Sequence, residues 1–133
     1  MNNGNCPCGR LKQYVDCCQP IHNHLRKAET AEDLMRSRYV AFTLANGDYL
    51  LESHHSDTRN PKDKLVIQNW AKSVHWLKLE VLNTEDGQVN DAFGTVEFKA
   101  FFMENGKIDV IHENSTFKIE NNRWVYYGIK MPN

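Results

Sequence analysis

Residues 92–120 read AFGTVEFKAFFMENGKIDVIHENSTFKIE, and the alternation inside this stretch decides the fold. Apolar side chains return at every second position on either side of Asn105-Gly106, the period of a strand with one buried face. Asn-Gly suits a tight hairpin turn, because both of its positions tolerate positive φ. Two strands, at about 92–104 and 107–120, are therefore joined by a short turn. Working outward, HWLKLEVLNT continues the same period at about 75–84, with Glu85-Asp86-Gly87 as the turn that follows. Downstream, RWVYYGIK supplies a fourth strand at about 123–130, after Asn121-Asn122. Four consecutive strands on short connections form an antiparallel meander.

Upstream of His75 the period is helical. Thr30 precedes Ala31, Glu32 and Asp33, an N-cap followed by an acidic first turn. That helix runs to about Asn46, where Gly47 ends it. Asp48 caps a shorter helix that reaches His54 or His55, and Pro61 opens a third that reaches about Ser73. The expected fold class is α+β, with three N-terminal helices packed on one face of a curved four-stranded antiparallel sheet. A twisted sheet curls, and helices closing a curled sheet leave a cavity at its mouth.

All four cysteines lie ahead of these elements, as Cys6, Cys8, Cys17 and Cys18, in the spacing C-x-C-x8-C-C. Thiolates bind Zn2+ strongly, and structural sites hold the ion tetrahedrally with four such groups. Eight intervening residues are enough to turn the second pair back onto the first. Pro7 stiffens the first pair, and Gly9 can adopt angles closed to other residues. Cys17 and Cys18 would point apart on a strand but diverge by only ~100° if they sit at the first turn of a short helix or 3-10 turn. Two disulfides, or redox chemistry, are the alternatives to zinc. His22 and His24 follow closely enough to replace one thiolate, but four cysteines complete the shell and both histidines read as solvated loop residues. The chain divides into a knuckle and connector over residues 1–24 and an α+β domain over 25–133. The core of that domain is expected to be independent of the metal and to survive chelation.

The 133 residues carry 16 basic and 17 acidic side chains. With no long basic run, this balance does not suggest nucleic acid as a main partner. No stretch approaches the ~18 apolar residues of a membrane helix. The polar start, Met-Asn-Asn-Gly-Asn, has no apolar secretory core behind it, and a cytoplasmic location is expected.

Polar residues on apolar stripes mark the candidate pocket. On the first helix Arg38 falls at about 40° from Leu34, inside the stripe of Ala31, Leu34, Met35, Phe42 and Ala45. Arg36 falls on the opposite side and reads as an ordinary solvated arginine. In the third strand Glu113 and Ser115 share a face with Ile111, Phe117 and Ile119, while His112 and Asn114 point away. Glu97 shares a face with Phe93 and Phe101, a weaker inward candidate. His55 ends the second helix beside a loop that could form the cavity rim. Trp70, Trp76, Trp124, Tyr126 and Tyr127 read as packing aromatics, with one or two lining the cavity.

The stretch CPCGRLKQYVDCC resembles the SEC-C motif, the zinc knuckle named after the tail of the SecA translocase. Cys6, Pro7, Cys8, Gly9, Lys12, Tyr14, Cys17 and Cys18 fit the pattern, whereas Arg10 and Leu11 stand where it usually has Ser-Gly. TAEDLMRSRYVAF, HENSTF and WVYYG look like the YchJ-like SEC-C proteins, which join the knuckle to a cone-shaped domain of the nuclear-transport-factor-2 superfamily. The resemblance implies a knuckle that docks a protein partner and a cone that scaffolds or holds a small ligand. It also implies a homodimer through the outer face of the sheet, where one of the pairs Phe98/Phe102 and Phe93/Phe101 needs cover. A non-catalytic interaction protein is the favoured reading. The alternative is an enzyme using Glu113 and His55 as acid and base with Arg38 nearby, although a guanidinium beside a carboxylate favours its ionised form and weakens it as a base. A third reading makes Arg38 and Glu113 a structural ion pair in a filled core.

Overall fold

A computed structural model describes residues 4–130. A 3-10 turn at Tyr14–Asp16 leads into α1, Gln19–His22, then α2, Ala31–Thr43, α3, Gly47–Glu52, and α4, Asp63–Ser73. The strands are β1, His75–Asp86, β2, Phe93–Glu104, β3, Lys107–Glu120, and β4, Arg123–Ile129. They form one antiparallel sheet in sequence order. The meander and the turns at Asn105-Gly106 and Asn121-Asn122 are as expected, but Glu85 and Asp86 belong to β1, paired with Thr95 and Gly94, and the chain turns after them. Asn105 and Gly106 take φ of 54° and 78°, and Asn121 and Asn122 take 52° and 64°. Positive angles at such residues match the right-handed twist of the strands they join.

The helix boundaries differ in several places: α3 stops at Glu52 rather than at His54 or His55, and α4 begins at Asp63, two residues after Pro61. α2 begins as expected, with the Thr30 hydroxyl accepting from the Asp33 N–H at 3.1 Å. It stops at Thr43 because Ala45 turns into the left-handed region at φ 52°. Gly47 does not end α2; it opens α3, buried so closely that a β-carbon there would lie 2.6 Å from Gln68 Oε1. Asn46, not Asp48, caps α3, its side chain accepting from the Tyr49 N–H at 3.1 Å. The connector after the cysteines is also not wholly polar coil, since α1 lies in it with Ile21 and His22 buried.

Register settles which face of the sheet is the core. Phe98 stands opposite Glu113, Val96 opposite Ser115 and Ala100 opposite Ile111. Val96, Ala100, Phe102, Ser115 and Phe117 are all buried, so these residues turn toward the helices. Phe93 and Phe101 therefore face outward, and Glu97 goes with them. It does not point inward as the weaker candidate required; its carboxylate meets His112 Nε2 at 2.8 Å on the outer face.

α2 is covered nearly all round, which the single stripe did not anticipate. Ser37, Val40 and Ala41 are fully buried although they lie off the Leu34–Phe42 face. The extra cover is the knuckle together with α3. Cys6, Cys8, Cys17 and Cys18 belong to one apolar cluster with Leu34, Met35, Tyr39, Val40, Leu79, Val96 and Phe117. The expectation of a core independent of the metal-binding segment does not fit this packing.

Candidate metal centre and ligand cavity

The knuckle closes through its backbone. Gly9 turns at φ 97°, a region that favours glycine, and its N–H donates to the Cys6 carbonyl at 3.2 Å. The Cys17 N–H donates to the Tyr14 carbonyl at 3.0 Å, and Cys18 is the residue immediately before α1. The second pair thus sits where the 3-10 turn hands over to a helix, close to the position expected. The four thiol sulfurs all lie within 4.8 Å of one another, all buried, and the cysteines are free. Cys8 and Cys17 Sγ are 3.6 Å apart, which is not a disulfide. Four thiolates at ~2.3 Å from one ion, at the corners of a tetrahedron, would stand about 3.8 Å apart, so this donor set fits a single metal ion.

Charge makes the same point. The Cys18 and Cys6 thiols donate toward Cys8 and hold it down to about 2. Burial, and then the charge on Cys8, push Cys17 up to about 11. Cys18 is pushed up too, first by its hydrogen bond to Cys6. Burial and a neighbouring negative charge thus oppose ionising Cys17 and Cys18 beside Cys8, and holding the cluster as thiolates calls for a cation among them.

Side chains of the helical domain hold the knuckle in place. Arg36 is no solvated arginine: its Nη1 donates to the Cys8 carbonyl at 2.5 Å while its Nε pairs with Glu32 at 2.8 Å. Arg26 donates to the Cys17 carbonyl at 2.7 Å. Arg10, one of the two departures from the motif, pairs with Asp33 at 2.6 Å, so the position is used to dock the knuckle on the start of α2. His22 is buried rather than solvated. Its Nε2–H donates to the Ser37 carbonyl at 2.7 Å, which leaves Nδ1 to accept from the Tyr14 hydroxyl at 2.8 Å. Burial lowers its pKa, consistent with that neutral tautomer. His24 remains exposed and lies 3.0 Å from Glu52. Neither histidine is in the group of four sulfurs.

A cavity of about 290 Å³ lies between α2, α4 and the inner face of the sheet. Arg38, Glu113 and Ser115 all line it, as the two periodicities expected. Arg38 and Glu113 share the space but form no ion pair, which removes the simple structural-pair reading. Arg38 Nη1 instead donates to the Leu50 carbonyl at 2.8 Å and to Ser53 Oγ at 2.6 Å. Its guanidinium lies 4.7 Å from the centre of the Tyr126 ring, a cation–π contact. Burial pushes its pKa down to about 10, which leaves it charged at neutral pH. The Ser115 hydroxyl donates to Glu113 Oε1 at 3.2 Å.

His55 is not on the rim. Its Nδ1 accepts from the Asp57 N–H at 3.0 Å, and its ring packs edge-on against Tyr127 at 5.0 Å. His54 faces the cavity in its place, its ring 5.0 Å from that of Tyr126. α3 stops at Glu52, and His54 bridges to Tyr126 in parallel fashion. Neighbouring residues in an extended segment face opposite ways, so one histidine enters and the other leaves. Sequence reasoning missed Ser53, which supports Arg38; of the aromatics of which one or two were expected to line the cavity, Trp76 and Tyr126 do so.

Residues 30–128 match the family described as the middle NTF2-like domain of YchJ. A UPF0225 protein of Shewanella sp. (strain MR-4) is 45% identical over 130 residues, covering 92% of this chain and 77% of that protein. A UPF0225 protein of Geobacter sulfurreducens is 40% identical over 128 residues, covering 94% and 80%. Among solved structures, a SEC-C motif containing protein from Rhodopseudomonas palustris superposes with a TM-score of 0.85 at 35% identity, covering 97% of this chain and 99% of that one. A SEC-C motif containing protein from Psychrobacter arcticus gives 0.79 at 33% identity, covering 96% and 84%.

Proposed function

This chain belongs to the YchJ-like family of UPF0225, SEC-C motif proteins, and on that premise we propose that it is a zinc-binding, non-catalytic protein whose cavity binds a small ligand. Zn2+ is the ion that a buried set of four thiolates at tetrahedral spacing favours, and Cys6, Cys8, Cys17 and Cys18 are its ligands. The knuckle carries the contact with a protein partner, offering Leu11 and Val15, 88% and 55% exposed, on its outer side. A second copy of the chain covers the outer face of the sheet.

The observation that carries the ligand reading is Arg38. A cation on the wall of an apolar cavity, with neutral protein partners and no ion pair among the described residues, is arranged to receive an anion from outside. The acid–base alternative is weaker here. His55 is turned away, and His54, which enters the cavity in its place, bonds Thr58 and makes no hydrogen bond to Glu113 or Ser115 among the described residues.

The test is to incubate the reduced, metal-loaded protein with a bacterial small-molecule extract and analyse by mass spectrometry what it retains and what it converts. Compounds retained unchanged, and lost in Ala100→Phe, which fills the cavity from the buried wall position of Ala100, are the expected result. Turnover of a compound would overturn the non-catalytic reading, and equal retention by Ala100→Phe would move the ligand elsewhere.

A further inference from the structure

The cavity's own charges and size narrow the class of ligand, an inference that rests on the reading that the cavity holds one. Both protein partners of Arg38 are taken by Nη1, so among the described residues the edge formed by Nε and Nη2 has none. That edge is the planar fork that grips a carboxylate with two parallel hydrogen bonds. Glu113 stands in the same cavity, with one carboxylate oxygen accepting from Ser115 and the other without a protein partner among the described residues. Its charge is felt at Arg38 and helps keep the guanidinium protonated. A ligand with two negative charges would meet Glu113 as a repulsive neighbour in surroundings too apolar to screen it. A ligand group with an N–H or O–H to offer would find an acceptor there.

Beside these polar groups the cavity walls include Phe98, Phe117, Trp76 and Tyr126, with Phe117 and Tyr126 5.8 Å apart at 67°. Aromatic walls of this kind favour a flat ring, which packs on them by stacking or by its edge. The volume of about 290 Å³ is roughly twice that of an apolar cavity of ~150 Å³ that accepts benzene. One aromatic ring with a substituent at each end fits such a space.

We infer that the cavity takes an aromatic monocarboxylate carrying a hydroxyl or amino donor at its far end, with the carboxylate on the Nε–Nη2 edge of Arg38 and the donor on Glu113. The probes are 4-hydroxybenzoate, benzoate, 4-hydroxybenzyl alcohol and terephthalate, titrated into the metal-loaded chain and followed by calorimetry and by amide chemical shifts. 4-Hydroxybenzoate binds most tightly. Removing the carboxylate, in the alcohol, weakens binding about tenfold or more, and removing the donor, in benzoate, weakens it severalfold. Terephthalate binds more weakly than 4-hydroxybenzoate, and Glu113→Gln narrows that gap. In Arg38→Met the acid and the alcohol become equal; should that variant not fold, the wild-type rank order carries the test by itself.

An alcohol that binds as tightly as the acid, with shifts at Phe98 and Tyr126, would overturn the ligand class while leaving a cavity that takes ligands. No saturable response to any of the four probes would overturn both.

Discussion

Arg38 and Glu113 show how two side chains can share a cavity without being an ion pair. A buried pair in contact would lose ~3–5 kcal/mol when either member is removed, because the survivor is left as an uncompensated charge. Here Arg38 rests on neutral oxygens and an aromatic face, and Glu113 on a hydroxyl. Arg38→Met and Glu113→Gln should each cost less, about 1–2 kcal/mol in urea unfolding, the scale of a few lost hydrogen bonds. The double variant should depart from additivity only by the attraction that Glu113 exerts on Arg38 across the cavity, less than about 1 kcal/mol. A coupling larger than about 1 kcal/mol would mean that the two meet directly.

His54 makes a separate prediction at the same scale. Burial first, and then the charge of Arg38, lower its pKa from 6.5 to about 4. A group whose folded pKa is depressed contributes stability that is complete above its unfolded value and is lost as pH falls toward the folded one. The wild type should therefore lose stability between about pH 6.5 and pH 4 in excess of His54→Gln. Urea midpoints measured across that window check it, and parallel curves for the two proteins would contradict it.

At the scale of the elements, the strands were legible and the knuckle's seat was not. Alternation and turn residues are local, so Asn105-Gly106 and Asn121-Asn122 mark the hairpins wherever the sheet ends up. The helical stripe on α2 found Arg38 by the same kind of local regularity. It misplaced Arg36 because the wheel assumes one buried face, whereas a knuckle some twenty-eight residues upstream covers the other. His22 was misread for the same reason. Its partners are Tyr14 in the knuckle and Ser37 on α2, and no periodicity links three residues in three elements. The exchange of His54 for His55 turned on where α3 stops, a boundary set by one cap.

The contact between Arg36 and the Cys8 carbonyl gives α2 a hold on the four-cysteine cluster. Groups that orient metal ligands from one step away commonly control affinity by ~10–100-fold. Arg36→Ala should weaken zinc binding by about tenfold or more in competition with a chromogenic chelator. Arg10→Ala, which loosens the seat without touching a ligand residue's carbonyl, should have a smaller effect. Equal zinc affinity in wild type and Arg36→Ala would show that the knuckle holds its metal without help from the helix.

Over the whole molecule, two surfaces remain to be accounted for. No helix among the described residues is long and apolar enough to cross a membrane. The outer face of the sheet nevertheless exposes Phe93, Ile108 and Val110 by 54%, 66% and 40%. Apolar side chains gathered on one face mark an interface more often than scattered ones do. Sedimentation should show a dimer at high micromolar concentration, and Ile108→Lys with Val110→Lys should return it to monomer. A monomer throughout would leave that face uncovered. The inner surface is the seam between the knuckle and the helical domain, where the four cysteines join the same apolar cluster as Val40, Leu79 and Phe117.

That seam holds the central claim: a metal bound by Cys6, Cys8, Cys17 and Cys18 organises part of the main core as well as the knuckle itself. Amide hydrogen exchange of the reduced protein, before and after removal of the metal by a chelator, tests it most directly. The account predicts that protection falls in residues 6–22 and also on the covered side of α2, at Ser37, Val40 and Ala41, while β2 and β3 keep theirs. Loss confined to residues 6–22, or no loss anywhere on chelation, would contradict it.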